Sequence, residues 1–73
     1  MKKYVAFRID TSSIKNHKVV KGYFVRGQRN TDYNWDMLGE FDSMDSAKHY
    51  IKSICTDPII QRIYGPDGYG IRL

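Results

Sequence analysis

The residues with binding chemistry cluster at the start of the chain. Arg8, Lys15, Lys18, Lys21, Tyr23, Arg26 and Arg29 interleave cations with an aromatic ring. On a β-sheet, guanidinium and ammonium groups neutralise phosphates while exposed rings stack on bases, which is how sheet-based binders hold nucleic acid. Lysines on strands also serve a plainer purpose, guarding sheet edges against unwanted pairing. A second group follows at once: Asp32, Asp36 and Glu40, then Asp42 and Asp45. Spaced carboxylates can dock on a basic patch of another protein, where complementarity sets specificity and association rate. The net charge of +4 conceals this segregation. Residues 1–29 carry +7, residues 30–46 carry −5 and residues 47–73 carry +2.

Catalytic groups are sparse. His49 and Cys55 lie six residues apart on one expected helix, where about 600° of rotation turns them to opposite sides, so they form no nucleophile and base pair. Cys55 reads as a core thiol and His17 and His49 as surface residues. One cysteine and two histidines make no zinc-spaced cluster. Gly65-Pro66-Asp67-Gly68 matches the G-x-x-G of a KH-type backbone clamp, but Pro66 and Asp67 give it the chemistry of a hairpin turn. No Gly-Lys-Ser/Thr follows to make a phosphate loop. The chain is therefore expected to be no enzyme and to use no cofactor.

These groups need a scaffold, and 73 residues provide one small domain, spanning 1–73. With 41% apolar residues the composition predicts a packed core and not disorder. The longest apolar run is four residues, Tyr4 to Phe7, so no membrane span and no secretory leader is expected. The expected location is cytoplasmic, and the Met start suggests a whole small gene product. Without disulfide or metal, stability must come from aromatic-rich packing, aided by self-association if the chain forms a homodimer.

Hydrophobic periodicity supplies the elements. Lys3 to Asp10 alternates as a strand, 10–18 reads as a polar loop, and Val19 to Arg26 forms a second strand with Gly22 marking a bulge or a close backbone approach. After a loop at 27–34, Trp35, Met37 and Phe41 alternate with Asp36 and Glu40 in a third strand, putting both acids outward. Asp42 or Ser43 caps a helix over 43–55, with Met44, Ala47, Ile51 and Ile54 on its inner face and Pro58 as its stop. Residues 58–64 fit either a strand or a two-turn helix, with strand favoured, and Tyr69 to Leu73 is expected as a last strand. The architecture expected is α+β, a small antiparallel sheet in the order β-β-β-α-β with a C-terminal hairpin as an option, covered by one helix.

Leu38-Gly39-Glu40-Phe41-Asp42-Ser43, followed by Ala47 and Tyr50, resembles the strand-to-helix segment of AP2-type DNA-binding domains. The resemblance covers about a fifth of the chain, and the Arg-rich first strand of that family is absent here. It implies three antiparallel strands followed by a helix, with sheet residues facing DNA. Arg8, Tyr23, Arg26 and Trp35 are the candidate DNA-facing positions by strand location. In size and layout the chain also looks like small early bacteriophage proteins, which bind and redirect a host protein in the infected bacterial cell. Two functions are thus expected in order: nucleic-acid binding through Arg8, Lys21, Tyr23, Arg26, Arg29 and Trp35, or regulation of a host protein through Asp32, Asp36 and Glu40. Their sheet faces discriminate, because acids sharing a face with the arginines cancel them and favour a protein partner.

Overall fold

A computed structural model describes residues 4–29, 34–55 and 62–71. Strands β1 (Tyr4–Lys15), β2 (Lys18–Arg29) and β3 (Trp35–Phe41) precede helix α1 (Met44–Ile54) and a short β4 (Arg62–Tyr64). The four strands form one sheet in the order β3-β2-β1-β4, and α1 packs on one of its faces. The α+β class and the β-β-β-α-β order are those expected from the sequence. The sheet is mixed, however: β1 pairs antiparallel with β2, and β4 runs parallel to β1.

The first two strands are longer than periodicity indicates. Residues 10–15, expected in a loop, continue β1, and only Asn16 and His17 turn the chain, with φ of 50° and 63°. Positive φ at both central positions is the requirement of the two-residue turn that matches strand twist. Asn16 tolerates it, and the polar residues before the turn prove to be strand residues of a projecting ribbon. The register slips between Asp10 and Ser12, opposite Gly22 and Tyr23, so of the two readings of Gly22 the bulge is the one found.

A second irregularity matters more for function. Val25 pairs with Gly39 but Arg26 pairs with Met37, leaving Leu38 as an extra residue in β3. This bulge reverses the alternation of β3 halfway along. Trp35 and Met37 therefore lie on one face and Phe41 on the other, packed against the core. The expectation of a single outward phase for Asp36 and Glu40 is corrected by the same slip: Asp36 lies across from Gly27 on the helix side, and Glu40 across from Phe24 on the open side.

The core unites Phe7, Ile9, Val25, Ile63, Ala47 and Ile51. Phe7, Ile9, Val25 and Ile51 are fully shielded from solvent. The helix begins where predicted. Ser43 is the N-cap, its Oγ accepting the Ser46 N–H at 3.1 Å, while Asp45 lies in the first turn and Lys52 in the last. Replacing Ser43 with alanine removes this acceptor and is expected to cost about 1 kcal/mol, read as a lowered urea midpoint with the slope unchanged. Ser43→Asp, which restores an acceptor, should recover most of the loss.

At the C-terminal end, the strand reading of 58–64 holds for Arg62–Tyr64, while residues 58–61 lie outside the described set. Of the last strand expected over 69–73, residues 72–73 lie outside the described set, and the described residues form no strand there; the turn at 65–68 returns the chain to an isolated bridge between Tyr64 and Gly70. Gly65 N–H donates to Tyr69 O and Ile71 N–H to Ile63 O, at 2.8 and 2.9 Å.

Candidate functional site

Among the described residues α1 covers one face only and no element packs over the other, open face, where strand alternation decides what stands. From β1 come Ala6, Arg8 and Asp10; from β2, Phe24, Arg26 and Gln28; from β3, Trp35, Met37 and Glu40; from β4, Arg62 and Tyr64. Arg8 and Arg26 are direct cross-strand partners. Like charges so placed repel, and the structure resolves the conflict with Asp10. Arg8 Nε donates to Asp10 Oδ2 at 3.0 Å, and Arg26 Nη1 donates to the same oxygen. Arg26 Nη2 donates to Ser13 Oγ at 2.9 Å. The Arg26 and Asp10 side chains are about four-fifths buried, at 19% and 23% exposure, so this fork is held in one geometry.

The Arg8 guanidinium also stands 4.9 Å from the Trp35 ring centroid, a cation–π contact. Further along, Lys15 Nζ lies 2.6 Å from Glu40 Oε2 and 5.6 Å from the Phe24 ring centroid. Phe24 is thus buried on the open side, outside the main core. Summed over the part of this face spanned by β3 and β4, with Lys15 counted for its contact to Glu40, the cations Arg8, Lys15, Arg26 and Arg62 meet the carboxylates Asp10 and Glu40. A surplus of two positive charges remains among the described residues.

Of the six positions expected to bind nucleic acid, the structure brings Arg8, Arg26 and Trp35 together. The other three turn toward the helix side. Tyr23 packs against the core, Lys21 lines a shallow cleft with Asp42 and Ser46, and Arg29 Nε lies 3.2 Å from Asp36 Oδ2. Tyr4 joins that last pair through a hydrogen bond to Asp36; burial pushes its phenol pKa up, and the Asp36 charge adds to the rise. The acids expected to meet a protein partner do not form one surface, since Asp36 and Glu40 lie on opposite faces and Asp32 lies outside the described residues. Both are engaged by cations of the first two strands, Arg29 and Lys15.

Sequence reasoning missed Arg62 and Tyr64. Their signal is the pattern Arg-Ile-Tyr, one inward Ile63 between two outward residues, which points to the open face once 62–64 is taken as a strand beside β1. Met37, 47% exposed, shares one phase with Phe41 in the plain alternation of the strand, but the bulge leaves it on the open face with Trp35.

No group of three His, Cys, Asp or Glu able to hold a metal occurs among the described residues, and no helix there is long and apolar enough to cross a membrane. Searches with family models, against curated proteins and against solved structures give no match.

Proposed function

We propose that this is a small non-enzymatic protein that binds nucleic acid through the helix-free face of its sheet. The observation that carries the reading is the meeting of Arg8, Arg26 and Trp35 on that face with positive charge in excess. Phosphates are drawn by the guanidinium groups, each of which has more N–H donors than Asp10 and Ser13 take up. Trp35, oriented by Arg8, and Tyr64 supply flat apolar surface for bases, a contact worth about 1–3 kcal/mol per stacked base. A surplus of two charges implies a shallow salt dependence, with a slope near −2 in log affinity against log salt.

Trp35 is the sole tryptophan, so the ligand reports on the site directly. Titration with labelled 20-nucleotide single strands and duplexes at ~50 mM salt should raise anisotropy with a micromolar midpoint and change Trp35 emission in parallel. Absence of both signals for DNA and RNA removes this reading.

A second reading has its own observation. Asp10 holds both arginines, Glu40 holds Lys15 and Asp36 lies against Arg29, so much of the basic tract is matched internally. A mixed-charge surface of Trp, Tyr, Arg and Met suits protein hot spots, as in a regulator or inhibitor of a host protein. Loss of all oligonucleotide binding, with a lysate protein captured by the wild type and not by Met37→Glu, is the outcome that favours it.

A further inference from the structure

Strands β1 and β2 outrun the sheet. β3 reaches along β2 only to the Tyr23–Phe41 pair, and β4 touches β1 only at Ala6 to Arg8. Beyond the bulge, the pairs Ser12–Lys21, Ser13–Val20, Ile14–Val19 and Lys15–Lys18 form a two-stranded arm with no described strand on either side. Three residue steps give it about 10 Å of reach. Near its tip, the cross-strand partners Ile14 and Val19 are 75% and 71% exposed. Antiparallel pairing puts both on one face of the arm, with Lys21 behind them and Lys15 and Lys18 beside the turn. Paired aliphatic side chains standing this far into water contribute little to folding, since most of their apolar area stays wet.

The surroundings select the occupant. Lys21 shares the face of Ile14 and Val19, while Lys15 and Lys18 stand on the other face of the arm, where Glu40 meets Lys15. A thin ribbon with an aliphatic tip and lysines on both faces matches a nucleic-acid groove, whose walls are phosphates and whose floor is base-pair edges, the apolar base faces being reached where a step is wedged open. Side chains such as Ile act as wedges between base steps of the minor groove and kink the duplex.

We propose that the 12–21 arm is a second contact on double-stranded nucleic acid, entering the minor groove with Ile14 and Val19 against a base step and the lysines on the flanking phosphates. The inference rests on the nucleic-acid reading above and adds to it the class of ligand, a duplex, and a mechanical consequence, a bend.

The test is Ile14→Thr with Val19→Thr, which keeps β-branching and touches no core residue. A 20-bp duplex carrying a fluorophore at each end should show increased energy transfer with the wild type, reporting the bend. In the variant this increase is expected to vanish and duplex affinity to fall about tenfold, while single-strand binding and the Trp35 response stay unchanged. Equal bending and duplex affinity for variant and wild type overturn the arm proposal while the Trp35 response keeps the sheet-face reading intact. Sedimentation with phosphatidylserine vesicles that is lost in the variant, with duplex binding unaltered, overturns it in favour of a membrane contact. A wild type that binds no nucleic acid, with Trp35 emission unmoved, instead fells the functional reading itself.

Discussion

Arg26→Ala is expected to weaken oligonucleotide binding by tenfold or more, whereas Asp10→Asn is expected to strengthen it, because one carboxylate restrains both arginines. Arg26 bonds Asp10 and Ser13 from a largely buried position. Its loss removes a phosphate ligand and leaves Asp10 balanced by Arg8 alone, so the face loses one charge and the log–log salt slope should flatten by about one. Charge-assisted hydrogen bonds of this kind contribute about 1.5–3 kcal/mol, so the variant should also be less stable. Arg26→Lys separates the two effects, since it keeps the charge and loses the fork. Asp10→Asn works the other way: the amide still accepts a hydrogen bond, but the surplus on the face rises from two to three and both guanidiniums turn more readily to phosphate. A several-fold gain in affinity with a steeper salt slope is the expected reading in anisotropy. A protein partner reverses the sign, because a mixed-charge surface tuned to another protein loses specificity when its acid is removed. Weaker oligonucleotide binding by Asp10→Asn than by the wild type would contradict the role assigned to the fork.

The parts of this arrangement visible in the sequence are those decided locally. The helix and its cap follow from Ser43, Asp45 and the spacing of Met44, Ala47, Ile51 and Ile54, each acting within a few residues. The inward Phe7 and Ile9 and outward Arg8 likewise follow from strand alternation in β1. What lay beyond reach was the phase of β3, since nothing in Trp35 to Phe41 announces that Leu38 is the bulged residue. Placing Asp36 beside Arg29, and Glu40 beside Lys15, required that slip together with the register of β2. The parallel docking of β4, which brings Arg62 and Tyr64 alongside Arg8, depends on a crossover through α1. The arm was hidden for another reason: Asp10-Thr11-Ser12-Ser13 carries turn chemistry, yet the turn falls at Asn16 and His17.

The same alternation in β1 ties the site to the core, so Phe7→Ala is expected to remove both. Phe7 is fully buried and sits between Gly27 of β2 and Ile63 of β4, with the Tyr4 ring 5.7 Å away. A side chain added at Gly27 would come within 2.7 Å of Tyr4 Cδ1 and 2.9 Å of Leu38 Cδ1, so this part of the core is filled to contact and has no slack with which to collapse into a cavity. Truncating a buried Phe costs about 3–5 kcal/mol. A domain of 73 residues has about 4–11 kcal/mol in all, so the variant should lie near or past its unfolding midpoint in water. Phe7→Leu, which keeps most of the volume, should fold with a smaller loss. Arg8 and Asp10 flank Phe7 and Ile9 on the opposite face, so the Asp10 fork and the Arg8–Trp35 contact exist only while β1 is held in the sheet. Urea titration followed by far-ultraviolet circular dichroism and by Trp35 emission should show the two signals lost together. If Phe7→Ala keeps a wild-type midpoint, the packing role assigned to Phe7 is wrong. If Trp35 emission melts well before the dichroism, the open face is supported by contacts other than the core beneath it.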